Sequence, residues 1–153
     1  MKKYPKILIT PGDPSGIGYD IAIHIAKKKF PAKIINVANI DLLEKRAKAL
    51  NEKVNFINVN LYDDDLPLDT NKNILVHNIR NNKEIKIGFP SVKNAPMIIE
   101  SLNIAIEACI RKKSDALVTG PVQKNILMEY GEKFSGHTEY IATKTGGTPI
   151  MML

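Results

Sequence analysis

Short runs rich in Val, Ile and Leu alternate with segments of helical spacing along the whole chain, and this alternation limits the possible folds more than any other feature. Lys6–Thr10 (KILIT) reads as a strand, ended by the breaker-rich residues 11–18 (PGDPSGIG). Ile21, Ala22, Ile25 and Ala26 then recur at helical spacing, and the basic residues 27–29 close that helix before Pro31. Lys33–Ala38 (KIINVA) reads as a second strand. Asp41 with Glu44 three residues on resembles a capping box for a helix carrying Leu42, Leu43, Ala47 and Leu50. Residues 54–59 and 73–79 form third and fourth strand candidates, and the acidic stretch 62–72 between them is expected to be an exposed loop. Val92, Ala95, Ile99, Leu102, Ile106 and Ile110 predict a long helix from 91 or 94 to about 112, with Pro96 in its first turn, where a missing N–H costs little. Ala116–Thr119 (ALVT) reads as a short buried strand ending at Gly120-Pro121. A helix through residues 126–128 and another starting near Thr138 follow.

The expected fold is α/β: a three-layer α/β/α arrangement with a largely parallel sheet between helices. At 153 residues, 44% of them apolar, the chain is long enough for one core and reads as one domain. The final residues 149–153 (PIMML) look like one more strand with no helix after it to cover it. Residues 1–153 therefore read as the amino-terminal part of a longer α/β protein, incomplete at its C-terminal end.

No apolar run approaches the roughly 20 residues needed to span a bilayer, so no membrane association is expected and the chain reads as soluble, without a signal peptide. The single cysteine, Cys109, shares a helix face with Leu102, Ala105 and Ile106 and reads as a buried structural thiol. A net charge of +6 could suit nucleic acid. The lysines, however, are scattered, the clusters at 27–29 and 111–113 fall where cations offset helix dipoles, and aromatics are 6% with no tryptophan. Nucleic acid is not expected as a partner.

Three segments could carry chemistry. The loop at residues 10–18 (TPGDPSGIG) joins strand to helix, where free amides favour anions and glycine lets a backbone approach a ligand. Its spacing fits neither the G-x-G-x-x-G fingerprint nor a Walker A loop. A tight structural turn and a ligand loop both account for it, and Asp13 could hold a hydroxyl or simply form an Asx-turn. The second segment is Thr119-Gly120-Pro121 with Lys124, at a strand's carboxyl end. Lys124 could pair with a phosphate or carboxylate, or be a surface lysine. The third is residues 135–139 (SGHTE), where Gly136 would permit an unusual backbone angle, and where hydroxyl, imidazole and helix amides could converge on a phosphate. His24 reads as a helix-surface or packing residue. His77 sits in a strand pattern, and no two histidines stand at a close ligand spacing such as H-x-x-x-H.

In order and approximate spacing, TPGDPSGIG, ALVTGPVQK and FSGHTEY followed by PIMML resemble the 4-hydroxythreonine-4-phosphate dehydrogenase (PdxA-type) family over most of the chain. That resemblance implies a fold akin to the isocitrate and isopropylmalate dehydrogenases, and a cytoplasmic homodimer with clefts near the subunit interface. It also implies NAD-dependent oxidation, with decarboxylation, of 4-phosphohydroxy-L-threonine in pyridoxal 5'-phosphate (vitamin B6) biosynthesis. A divalent metal (Zn, Mg or Co) would polarise the substrate hydroxyl. His137 and Thr138 match the family's substrate-binding pair, and Gly12, Asp13 and Lys124 lie in matching motifs expected to line the cleft. Gly18-Tyr19-Asp20 stands where members usually have Gly-Pro-Glu or Gly-Pro-Asp, which alters helix capping more than chemistry. The family's metal-binding histidines and most nicotinamide contacts would follow residue 153, so the chain alone is expected to be inactive. The alternatives are a catalytically inactive module that binds phosphate esters, or the front of a dehydrogenase for a related four-carbon phosphate.

Overall fold

The computed structural model describes residues 4–67 and 72–152. Five strands form one parallel sheet: β1 (Lys6–Thr10), β2 (Lys33–Ala38), β3 (Asn55–Asn58), β4 (Asn73–Asn78) and β5 (Ala116–Thr119), in the order β3-β4-β2-β1-β5. The helices are α1 (Gly18–Ile25), α2 (Ile40–Ala49), α3 (Ala95–Ile110), α4 (Lys124–Glu129) and α5 (His137–Thr145), with a 3-10 turn at Val92–Asn94 leading into α3.

Handedness explains the layers. From β1 the chain steps through α1 and α2 towards the β3 edge, then returns through α3 to the opposite edge at β5. Right-handed crossovers in opposite directions put α1 and α2 on one face and α3 on the other. The register agrees. Ile7, Ile9 and Ile34 pack with Ile25 of α1. Leu8, aligned with Ile35 and Leu117, faces the other way, and Leu117 joins the cluster formed by Leu102 and Ile106 of α3, Ile126 and Leu127 of α4, Phe134 and Tyr140 of α5. Ser101 of α3 anchors that layer by donating its hydroxyl hydrogen to the Val37 carbonyl at 2.5 Å.

Five of the six expected strands form, β5 at an exposed sheet edge rather than buried, and Pro96 occupies the first turn of α3 as the spacing predicts. Four further local expectations are corrected. The cap of α2 is Asn39, whose side chain accepts from Leu42 N, rather than an Asp41–Glu44 box. The acidic stretch is not wholly exposed, because Leu66 is buried in the main core, while residues 68–71 lie outside the described residues. Cys109 is half-buried; burial pushes its thiol pKa up. Residues 149–152 form no strand, and Ile150 and Met152 are 87% and 95% exposed; Leu153 lies outside the described residues. An isolated apolar run has no ladder to join unless a neighbouring strand offers its edge.

Candidate active site

Strands β1 and β5 are neighbours at the point where the connections change direction, the place where open parallel sheets hold ligands beyond their carboxyl ends. Those ends are Thr10 and Thr119, aligned in register. The loops beyond them interlock. Gly120 N donates to Thr10 O at 2.6 Å, and Asp13 N to Pro121 O at 3.2 Å. A Cβ on Gly12, which has φ +81°, would stand 2.2 Å from Pro121 O. On Gly120 it would meet Pro11 O at 2.3 Å, and on Gly18 the same oxygen at 1.7 Å. Gly12 thus serves the contact between the two loops, in line with the structural turn that the sequence left open beside a ligand loop. Nor do these glycines leave a backbone cradle for a dinucleotide, since the space a Cβ would fill is taken by peptide groups.

Asp13 is 4% exposed. Its Oδ1 accepts from Ser15 N at 2.9 Å and Ser15 Oγ at 2.8 Å, which is an Asx-turn, and from Asn94 Nδ2 at the head of α3 at 2.9 Å. On the other side Arg46 of α2, 6% exposed, donates from Nη2 to the carbonyls of Pro14 and Gly16 at 3.1 and 3.0 Å, while Nη1 pairs with Asp20 Oδ1 at 3.1 Å. Sequence reasoning missed both Asn94 and Arg46. The signal for Arg46 was present: it sits three residues after Leu43 and four after Leu42, on the core-facing side of the helix.

The remaining candidates gather at the start of α5. Gly136 is its N-cap, with an extended backbone (φ 173°, ψ 170°) rather than the unusual angle expected. No side chain caps this terminus. His137 and Thr138 open the helix half-buried, while Lys124 is exposed at the first position of α4. A Cβ on Gly136 would lie 3.7 Å from Lys124 Nζ and 2.8 Å from Glu139 Oε2, so the ammonium reaches the head of α5. Burial, and then the Lys124 charge, hold the His137 imidazole below its usual pKa. Its ring meets Phe134 edge-on, with centroids 5.3 Å apart. The arrangement brings His137, Thr138 and Lys124 together; Asp13 and Gly12 lie in the loop lattice beside β1. Histidines 24 and 77 stand elsewhere, against the Asp20 carbonyl in α1 and the Val59 carbonyl beside β4.

Among the described residues, no group of three or more His, Cys, Asp or Glu side chains could hold a metal ion. The residues present therefore do not fit the divalent metal that the family resemblance implies. No helix is long and apolar enough to cross a membrane among the described residues.

Fold and site define an open parallel α/β protein whose loops interlock at the switch point of its sheet. The chain belongs to the family of the pyridoxal phosphate biosynthetic protein PdxA, whose family model matches residues 30–153. It is 37% identical over 149 residues to a 4-hydroxythreonine-4-phosphate dehydrogenase of Methylococcus capsulatus, covering 97% of this chain and 45% of that protein. To the protein of the same name from Wigglesworthia glossinidia brevipalpis it is 36% identical over 156 residues, covering 100% and 46%. The crystal structure of a 4-hydroxythreonine-4-phosphate dehydrogenase from Burkholderia phymatum superposes with a TM-score of 0.83 at 20% identity, over 96% of this chain and 45% of that one. The chain thus spans less than half the length of the relatives it matches.

Proposed function

We propose that this chain is the substrate-phosphate half of a 4-hydroxythreonine-4-phosphate dehydrogenase. The observation that carries the reading is the meeting of His137, Thr138 and Lys124 at the uncapped start of α5. An uncapped helix start offers amides and a positive dipole to an anion. Lys124 adds a point charge, Thr138 a hydroxyl, and His137 an imidazole whose depressed pKa rises when an anion sits beside it. Together they bind and orient a phosphate monoester.

The complete enzyme oxidises the carbinol carbon of 4-phosphohydroxy-L-threonine with NAD, and the resulting β-keto acid loses carbon dioxide on the way to pyridoxal 5'-phosphate. It works in the cytoplasm as a homodimer. Among the described residues no group of side chains could hold the divalent metal, and the chain spans less than half the length of its relatives. The chain alone is therefore expected to bind phosphate esters without turnover. The family membership and the names of the relatives support the oxidoreductase reading.

The test has two arms. NADH formation is followed with the purified chain, substrate, NAD and divalent metal; turnover would refute the inactivity. Orthophosphate is titrated into labelled chain while the amide and imidazole signals of His137 and Thr138 are read. Saturable shifts there, lost in His137→Ala, support the binding role, and their absence in a folded chain sinks it.

A further inference from the structure

We infer that Arg46 is the positioning residue of the loop at residues 11–17, gripping from the α2 side the same peptide group that Asp13 grips from the other. The inference rests on the reading above only in that this loop borders the proposed cleft.

The geometry turns on one peptide plane. In a trans peptide the C=O and the following N–H point in opposite directions. The Pro14 carbonyl is taken by Arg46 Nη2 at 3.1 Å, and the Ser15 N–H of that same peptide goes to Asp13 Oδ1 at 2.9 Å. Two buried charges thus hold opposite ends of one amide. The next carbonyl but one, Gly16 O, is also held by Nη2 at 3.0 Å, which turns the Ile17 N–H away from α2 at the head of α1. Asp20 keeps the guanidinium in place through Nη1. Asn94 carries the grip to α3 on the opposite face of the sheet.

The planar fork serves two carbonyls from Nη2 and a carboxylate from Nη1 at once; a lysine ammonium also has three donors, but they leave from one atom with a different reach. Burying a guanidinium is costly unless its donors are satisfied, and here each contact is to the loop or to the first turn of α1 that follows it. Arg46 touches no proposed ligand contact, so its effect on the cleft passes through loop shape.

The experiment compares the wild-type chain with Arg46→Lys and Arg46→Ala by amide hydrogen exchange. In Arg46→Lys the Ser15 and Gly16 amides are expected to lose at least about tenfold protection, the size of one lost charge-assisted hydrogen bond, while amides of α3 and β2 keep theirs. Millimolar methylguanidinium is expected to restore the protection in Arg46→Ala and to leave the wild type unchanged. Unaltered loop protection in Arg46→Lys overturns the inference. So does a loss spread evenly through α3 and β2, which would make Arg46 a general core charge. Should Arg46→Ala fail to fold, Arg46→Lys decides. The orthophosphate titration of His137 in the wild type reports on the proposed function separately, because a silent His137 leaves the exchange result standing.

Discussion

The Tyr140 hydroxyl donates to Asn103 Oδ1 at 2.9 Å, tying α5 to the middle of α3 one turn beyond His137. Phe134 packs against both the Tyr140 and His137 rings, so the imidazole, the tyrosine ring and α3 form one packed unit. Tyr140→Phe removes only the hydrogen bond. It is expected to lower stability by about 1 kcal/mol in chemical denaturation. It should also weaken orthophosphate binding at His137 by a smaller factor than His137→Ala does. Equal affinity in the two variants would contradict this division of roles.

The acid behaviour of the site follows from His137. Its folded pKa lies below the ordinary 6.5, through burial first and the Lys124 charge second. The unfolded chain therefore takes up that proton at higher pH than the folded chain. Stability is lost as pH falls through about 6.5 towards the folded value, and is fully present above it. Lys124→Met is expected to move the imidazole pKa up towards 6.5, read from its ring proton signals. Orthophosphate should move the wild-type value in the same direction. A pKa unmoved by Lys124→Met would separate the two side chains.

Gly18→Ala places a methyl 1.7 Å from the Pro11 carbonyl oxygen, and backbone must shift to admit it. A loss of about 1–3 kcal/mol is expected, the usual cost of forcing extra volume into a packed site. Gly147→Ala, whose nearest neighbour would be Thr145 Oγ1 at 3.5 Å, serves as the control and should melt close to the wild type. Similar melting temperatures for both variants would argue against the close approach of Gly18 to Pro11 within the loop after β1.

Asp13→Ala strips a buried acceptor from Ser15 N, Ser15 Oγ and Asn94 Nδ2. Leaving those donors unpaired is expected to cost about 3 kcal/mol, at roughly 1–3 per orphaned group. Asp13→Asn keeps an oxygen in place and should cost less. Denaturation midpoints of the pair check the order; an Asn variant as damaged as the Ala variant would show that charge, not acceptor geometry, is what the loop requires.

Strands β1, β2 and β5 were legible because apolar residues in short runs between breakers leave few other conformations. The long helix α3 was legible from its spacing for a similar reason. Boundary chemistry was not. Whether Asn39 or Asp41 caps α2 depends on where the backbone leaves β2, which a pattern of side chains does not specify. At the candidate site, Lys124 and the His137–Thr138 pair read as separate segments, and only the family resemblance set them in one cleft, together with Gly12 and Asp13. The burial of Asp13 under Asn94 could not be anticipated, since those residues are 81 apart in sequence. Arg46 shows the remaining gap: a cation on the inner face of α2 signals a buried partner, but the partners are carbonyls, which every residue possesses.

The central place of β1 in the sheet has a consequence for synthesis. Lys6 and Asp115, hydrogen-bonded at 2.7 Å, are 109 residues apart, and one flank of β1 stays unpaired until β5 has emerged from the ribosome. A strand left with a bare edge is a template for wrong pairing, and long-range pairing is slow to form. Most of this polypeptide must therefore be made before its first strand can be sealed, and a nascent chain stalled short of residue 116 would present that bare edge to chaperones and proteases.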